Sequence, residues 1–536
     1  MYPTVLNRDY QGPYKEVLQI GGNNIPKQTK WDLIKAWKKI NEQLPESLTV
    51  NEREWEKILP SCSNKKFEKD VPFPTTKATY SLRKLLNGLI SGPIDKNINE
   101  LWFCCPVLYK KAWEKLYSEE TGYKPIEMNQ TEPNKKKKKE TPNNQILRKW
   151  RQIYLANKWN HLAPFKNKAD FNRPYILFKA KNITDKKIRE NKWMKARPIA
   201  PQTKHPMAKL FHLAGRAWSF ITANIPNTDF ILTHGGKVKT FLEDSVEELK
   251  KYGQVKSYIK DIEGCFPNMP KDAIKEGMQG IIQELSKEGK DAVYVPNQKR
   301  DKCLWKSTNK QYKRITFETL IDIMHFALEN TFIKDLSGKL RKQTLGIPMG
   351  DPHSPGMCIG ACAWMEKRWI STIPQQQKKY IKFARYMDDV LTMYADNPNL
   401  ERNILESQQT KCYVAPLKLE DGGEDTFLET TFSIKNNNVE CQLKNTNEIN
   451  QPQTVWRYAH FNSSTSFEIK HAVMMSVLKK VEAYGNSDTM IFESARKKLA
   501  EFKNLNYPRK MLWTACTTMG VQTRRAIWFE VRKAYC

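Results

Sequence analysis

Apolar and polar positions divide the chain into three regimes. Near the start, "WDLIKAWKKI" sets Leu33, Ile34, Trp37 and Ile40 at helical spacing, which predicts a mostly helical accessory domain over residues 1–130. From about 146 to 435, short strand patterns mix with helical ones. Val255 to Ile262 reads as a strand, and Pro267 and Pro270 stop it before a helix that starts near Lys271. "FARYMDDVLTMY", Phe383 to Tyr394, reads as two apolar strands around a polar centre, a β-hairpin. After about 455 helical periodicity dominates. Val473, Met474, Val477, Leu478 and Val481 predict one amphipathic helix, and a second follows around Ala495 to Phe502. Between the first two regimes, Lys135 to Lys139 are flanked by Pro133 and Pro142. Like charges repel and proline breaks helices, so 131–145 is expected to be an exposed basic linker. The class is α/β (α+β).

Charge adds a partner to this picture. The 536 residues carry 89 Lys and Arg against 58 Asp and Glu, a net charge of +31. Such an excess favours polyanions, above all nucleic acid. The opening "MYPTVLNRDYQGPYKEV" lacks an apolar signal core, and no apolar run approaches the ~18 residues of a membrane span. An intracellular protein is expected, nuclear if the source is eukaryotic, neither secreted nor membrane-bound. The eleven cysteines form no Cys-x-x-Cys pair and read as reduced packing residues, Cys358 and Cys362 sharing one helix face.

Two acidic features carry the chemistry. Asp388 and Asp389 sit at the centre of the hairpin, and Asp261 lies near the end of the upstream strand. Asp is depleted in strands and is almost never buried without a partner. A solvated turn accounts for the pair alone. Three carboxylates on neighbouring strands would instead repel unless a cation neutralises them, and Mg²⁺ binds through one or two carboxylates plus substrate phosphates. Two such ions can activate an attacking oxygen and stabilise a leaving one. Upstream, strands near Ile176 to Lys181 and Trp193 to Ala200 would form a hairpin that projects Lys179, Lys181, Lys195 and Arg197, cations suited to a triphosphate. Between the acidic features, "QTLGIPMGDPHSPGMCIGACAWMEKRW" places Gly346, Pro348 and Gly350 in a loop. Ser354 is then expected as N-cap and Pro355 as the first helical residue.

Basic hairpin, Asp strand, glycine loop with helix, and Asp-Asp hairpin follow one another in an order that resembles the fingers and palm of reverse transcriptases. "ARPIAP" resembles the fingers motif, "DIEGCF" motif A, "GIPMGDPHSP" motif B and "YMDD" motif C. The later segments "FLETTFSIKNNNVECQLKNTN" and "YAHFNSSTSFEIKHAVMMSVLKKVEAY" are most similar to Penelope-like element reverse transcriptases, which group near telomerase. The resemblance covers roughly residues 170 to 515. It departs at Asp351 and His353, where smaller or apolar residues are more usual.

The resemblance implies a right-hand polymerase. Its parts would be fingers at 146–245, a palm of antiparallel sheet and helices at 246–435, and a primer-grip edge with a helical thumb at 436–536. It implies that Asp261, Asp388 and the main chain at Ile262 bind two Mg²⁺ (or Mn²⁺), with Asp389 ligating or supporting that site. Arg197, Lys181 and Lys195 would contact the triphosphate. Phe266 would be the sugar gate, or else only a core aromatic. Gly350 would lie near the nascent base pair, and Phe427 to Phe432 would grip the primer. Lys418 is a candidate general acid or a solvated strand lysine. The implied partners are an RNA template, a DNA or RNA primer and deoxynucleoside triphosphates. An RNA-dependent RNA polymerase shares the palm but commonly carries a second Asp in motif A and a Gly before the paired Asp. Phe266 and Met387 stand at those positions. A non-catalytic nucleic-acid-binding descendant is the other alternative.

Overall fold

The computed structural model describes Thr4–Leu6 and residues 84–126, 142–179, 196–445 and 458–536, apart from positions 85, 96, 168, 169, 299, 424 and 464. The predicted helix around Trp37, the Lys135–Lys139 run, Lys181 and Lys195 lie outside these residues.

Strands Tyr175–Phe178 (β1) and Ala196–Ile199 (β2) pair antiparallel, with Leu177 opposite Arg197. The helix Ala208–Thr222 (α1) comes next. The centre of the molecule is a four-stranded antiparallel sheet built from Gln254–Ile262 (β3), Ile381–Tyr386 (β4), Asp389–Asp396 (β5) and Leu419–Gly423 (β6), in spatial order β4-β5-β3-β6. β3 is anchored by buried Val255 and Ile259 on one face and buried Ile262 on the other. Helices Lys271–Lys287 (α2) and Ser354–Thr372 (α3) share one continuous buried cluster with α1 and this sheet. The apolar run Met357, Ile359, Ala361, Cys362 and Met365 predicts a buried helix; all but the half-buried Ile359 are buried.

The start of α3 differs from expectation. His353 occupies the N-cap position and Ser354 is already helical, with no side-chain cap. His353 Nδ1 instead lies 2.8 Å from Asp351 Oδ1, both residues being buried. The two unusual residues of this motif are therefore partners of each other, and the cap is given up to bury them together.

A three-stranded sheet of Thr426–Phe427 (β7), Thr430–Lys435 (β8) and Asn438–Leu443 (β9) leads to the C-terminal helices Phe467–Tyr484 (α4), Asp488–Asn504 (α5), Arg509–Thr523 (α6) and Ile527–Tyr535 (α7). Ser466 and Ser487 cap α4 and α5 by accepting from the Ile469 and Met490 amides. Met474, Val477, Leu478 and Val481 are buried within this helical cluster, whereas Val473 is exposed.

The described part of the first block is not predominantly helical. It holds a sheet of Thr4–Leu6, Asn97–Cys104 and Ile90–Ile94, in that spatial order, and one helix, Pro106–Leu116. It also shares a core with β1 and β2. Trp102, Trp113, Tyr117 and Tyr123 pack in one buried cluster with Ile176, Phe178 and Ala200. The Tyr117 hydroxyl donates to the Tyr175 and Ile199 carbonyls at 3.0 and 3.2 Å. Tyr123–Pro125 adds an edge strand to Leu340–Gln343.

Candidate active site

β4 and β5 are joined by a two-residue turn, Met387 and Asp388, because Tyr386 pairs directly with Asp389. Met387 takes a left-handed backbone conformation, φ 56°, which lets so short a turn close. On the other side of β5, Asp389 stands directly opposite Asp261. The Ile262 amide donates to the Asp388 carbonyl at 2.8 Å, which ties the turn to the end of β3. Ile262 itself is fully buried. The three predicted carboxylates are thus brought together by strand register.

The register also adds a fourth. Glu420 on β6 faces Asp261 from the opposite side, so Asp261 has an acidic residue across from it on both flanks. Directly opposed like charges destabilise a sheet. Burial, then Asp388, Asp389 and Glu420, push the Asp261 carboxyl up to about 7, while Lys179 pulls the other way. A cluster that raises its own central carboxyl so far has the donor chemistry of a site for a hard, oxygen-seeking divalent cation.

These carboxylates line a cleft of about 1270 Å³. Lys179, Arg197, Phe266, Gly350, Leu428 and Glu429 also line it. Phe266 sits in the short helix Cys265–Asn268, half-buried, and its carbonyl accepts from the Ile347 amide at 2.9 Å. Gly346 makes that contact feasible. Its φ is +69°, and a Cβ there would lie 2.2 Å from the Pro267 carbonyl oxygen. Gly350, at φ +111°, lies against Pro201, and the adjacent Met349 carbonyl accepts from the Ala200 amide at 2.8 Å. The glycine loop therefore links the basic hairpin to the turn that carries Phe266.

Arg197 is at the cleft wall and its Nε lies 3.0 Å from Asp95 Oδ2. Asp95 belongs to the first block, about a hundred residues upstream, and no local pattern pairs the two. Lys418 is exposed, outside the cleft lining, and its carbonyl accepts from the Glu263 amide at 2.9 Å. The opposite wall comes from α4. Val473, Ser476, Val477, Lys480 and Tyr484 lie at helical spacing along one stripe. Lys480 reaches across to Glu429 Oε2 at 2.7 Å. Glu420 and Lys480 were not foreseen from the sequence. Lys480 follows Val473 and Ser476 at helical spacing on α4, and that spacing was a signal that would have found it.

Behind the turn lies a buried charge. Arg385 and Glu366 form an ion pair, both fully buried. Arg385 Nη1 donates to the Met387 carbonyl at 2.9 Å and Nη2 to the Ile359 carbonyl at 3.1 Å. The Tyr413 hydroxyl donates to Glu366 at 2.6 Å. Burial pushes the Glu366 carboxyl up to about 7 against the pull of Arg385. One guanidinium therefore fixes the acidic turn to α3.

No family model and no curated protein matches the chain. Solved structures do. A telomerase from Candida albicans in complex with a TWJ fragment of telomeric RNA aligns at TM-score 0.51 and 12% identity, covering 87% of this chain and 74% of that one. Apo telomerase from Candida tropicalis aligns at 0.45 and 12%, covering 85% and 73%. The Sicinivirus 3Dpol RNA-dependent RNA polymerase aligns at 0.38 and 12%, covering 84% and 88%. The chain has a mixed α/β polymerase right-hand fold. Among the described residues no helix is long and apolar enough to cross a membrane.

Proposed function

We propose that the protein is an RNA-directed DNA polymerase, a nucleotidyltransferase that extends a primer 3′-hydroxyl with deoxynucleotides. In this reading the central sheet is the palm and the C-terminal helices are the thumb. The observation that carries it is the register around Asp261: Asp389 and Glu420 directly opposite and Asp388 in the adjoining turn, inside a cleft that also receives Lys179, Arg197 and Phe266. Asp261 and Asp388 would hold two Mg²⁺, with Asp389 beside them. When bound, the ions supply charge neutralisation for the attacking and leaving oxygens. The protein's own part is positioning, which is most of what phosphoryl transfer asks of it. β3 and β5 hold the carboxylates in fixed register, Lys179 and Arg197 bring positive charge to the triphosphate side, and Lys480 adds a cation on the thumb side. In this reading Phe266, which lines the cleft, is the sugar gate against a ribose 2′-hydroxyl.

The choice of template and nucleotide rests on the sequence. Phe266 in motif A and Met387 before the paired Asp favour a DNA-making enzyme. The segments after motif C resemble Penelope-like elements, and their "FLETTF" stretch forms the β7–β8 hairpin at the cleft rim. The net charge of +31 suits an RNA template and a primer held through phosphates. The test offers purified protein an RNA template and DNA primer with Mg²⁺ and either nucleotide class. Deoxynucleotide extension is expected. Preferential ribonucleotide incorporation would make it an RNA polymerase, and no Mg²⁺-dependent extension on any template would make it a binding protein.

A further inference from the structure

Directly beneath the cleft floor, three cysteines converge. Cys265 comes after Gly264 on the turn that carries Phe266, and Cys358 and Cys362 lie one helical turn apart on α3. Their sulfurs all lie within 4.8 Å of one another, and Cys265 and Cys358 are 3.1 Å apart. All three side chains are buried.

We propose that this trio is a binding site for a thiophilic d¹⁰ cation, Zn²⁺ or Cu⁺, held by three thiolates. Metal–thiolate bonds of ~2.3 Å put the sulfurs of a three-coordinate or tetrahedral site about 3.8–4.0 Å apart. The Cys265–Cys358 sulfurs, 3.1 Å apart, need only move slightly outward to reach it, and all three sulfurs already lie within 4.8 Å. Three thiolates select soft or borderline cations over Mg²⁺, which seeks oxygen. The site is therefore chemically separate from the carboxylate cluster above it.

Two further features suit an ion here. Cys265 also lines the cleft, so the trio adjoins it. Positive charge is also at hand. The Arg385 guanidinium donates to the carbonyl of Ile359, the residue after Cys358. Glu366 and Tyr413 beside it are already engaged with Arg385 or with each other, and Cys412 is a further buried thiol that the Glu366 and Cys362 charges act on. Binding releases the thiol protons, so no oxidant or reductant is needed. The bound ion would tie the Phe266 turn to α3 and so fix the sugar-gate wall to the helix after the glycine loop.

The full-length protein is prepared anaerobically, loaded with Zn²⁺ in one arm and Cu⁺ in the other, and dialysed against a weak chelator. Metal content is then measured, with Co²⁺ as a spectroscopic probe for thiolate charge-transfer absorption. One ion per chain and that absorption are expected from the parent. Both should fall to background in Cys358→Ser and Cys362→Ser and persist in Cys516→Ser, a buried thiol among the C-terminal helices. Should either cluster variant misfold, mass spectrometry of alkylated parent protein gives the answer: metal must protect Cys265, Cys358 and Cys362 selectively. Absence of retained ion in both arms, retention unaffected by Cys362→Ser, unselective protection, or a Cys265–Cys358 disulfide in anaerobic parent protein overturns the proposal.

Discussion

Replacing Arg385 by Met removes the one guanidinium behind the acidic turn. The loss strands the fully buried Glu366 carboxylate and leaves the Met387 and Ile359 carbonyls without their charged donor. Breaking a fully buried pair from one side costs about 3–5 kcal/mol. Each lost charge-assisted bond is worth ~1.5–3 kcal/mol where no water replaces it, a contribution already contained in that figure. The cost should depend on pH, and its sign comes from Glu366. Its folded-state carboxyl is raised to about 7 in the parent, and without Arg385 burial acts unopposed and raises it further. The folded variant then holds a proton that the unfolded chain releases, so its stability falls as pH rises. Urea unfolding followed by tryptophan fluorescence, at about pH 6 and about pH 8, should show the larger deficit at the higher pH. Arg385→Met combined with Glu366→Met replaces the pair by apolar volume and should recover about 2 kcal/mol or more of the single-variant loss. The double variant should still extend primers poorly, because the Met387 carbonyl remains unanchored. A single-variant cost under about 1 kcal/mol, or a double variant as unstable as the sum of its parts, would refute this account.

Asp388→Asn and Asp261→Asn should each lower primer extension about 1000-fold, since charge stabilisation of several kcal/mol is at stake and each 1.36 kcal/mol is tenfold; steady-state extension rates check this. Phe266→Ala should admit ribonucleotides with little change in deoxynucleotide use, measured as the ratio of kcat/KM for the two classes; an unchanged ratio removes its gate role. Because Asp261 titrates near 7, its protonated form competes with Mg²⁺. Activity at limiting Mg²⁺ should fall as pH drops below about 7, and the falling limb should move to lower pH as Mg²⁺ is raised. Glu420→Gln removes one charge from across Asp261 and should shift that same limb downward, read from the pH profile at fixed Mg²⁺.

What was legible in the sequence was local. The strand β3, the turn between β4 and β5, the helix start at Lys271 and the apolar faces of α3 and α4 each come from a few neighbouring residues. Placing Asp261 beside Asp389 needed only the family resemblance and the expectation that two strands pair. What stayed hidden depends on contacts between distant segments. Glu420 faces Asp261 because β6 joins the far edge of β3, with a bulge between Asp421 and Gly423 that no spacing announces. Nothing near Arg385 in the sequence points to its partner Glu366, which lies on another element. Arg197 meets Asp95 across a stretch of about a hundred residues. The Ser354 cap was forgone because burying Asp351 with His353 set a different helix start.

The edge strand Tyr123–Pro125 bears on how this protein can be divided. Residues on both sides of the lysine-rich segment belong to one body: Gly122 accepts from the Thr344 amide at 2.7 Å, and Ile126 donates to the Leu340 carbonyl at 3.2 Å. A protease cut within 127–141 should therefore leave two fragments that co-elute. A fragment begun after the lysines would leave Leu340–Gln343 as an unpaired sheet edge and expose Ile176, Phe178, Ala200 and Ile333 to water, and aggregation would be its expected fate. The natural working unit reaches back at least to residue 90, because the segments on either side of 127–141 share one sheet and one core.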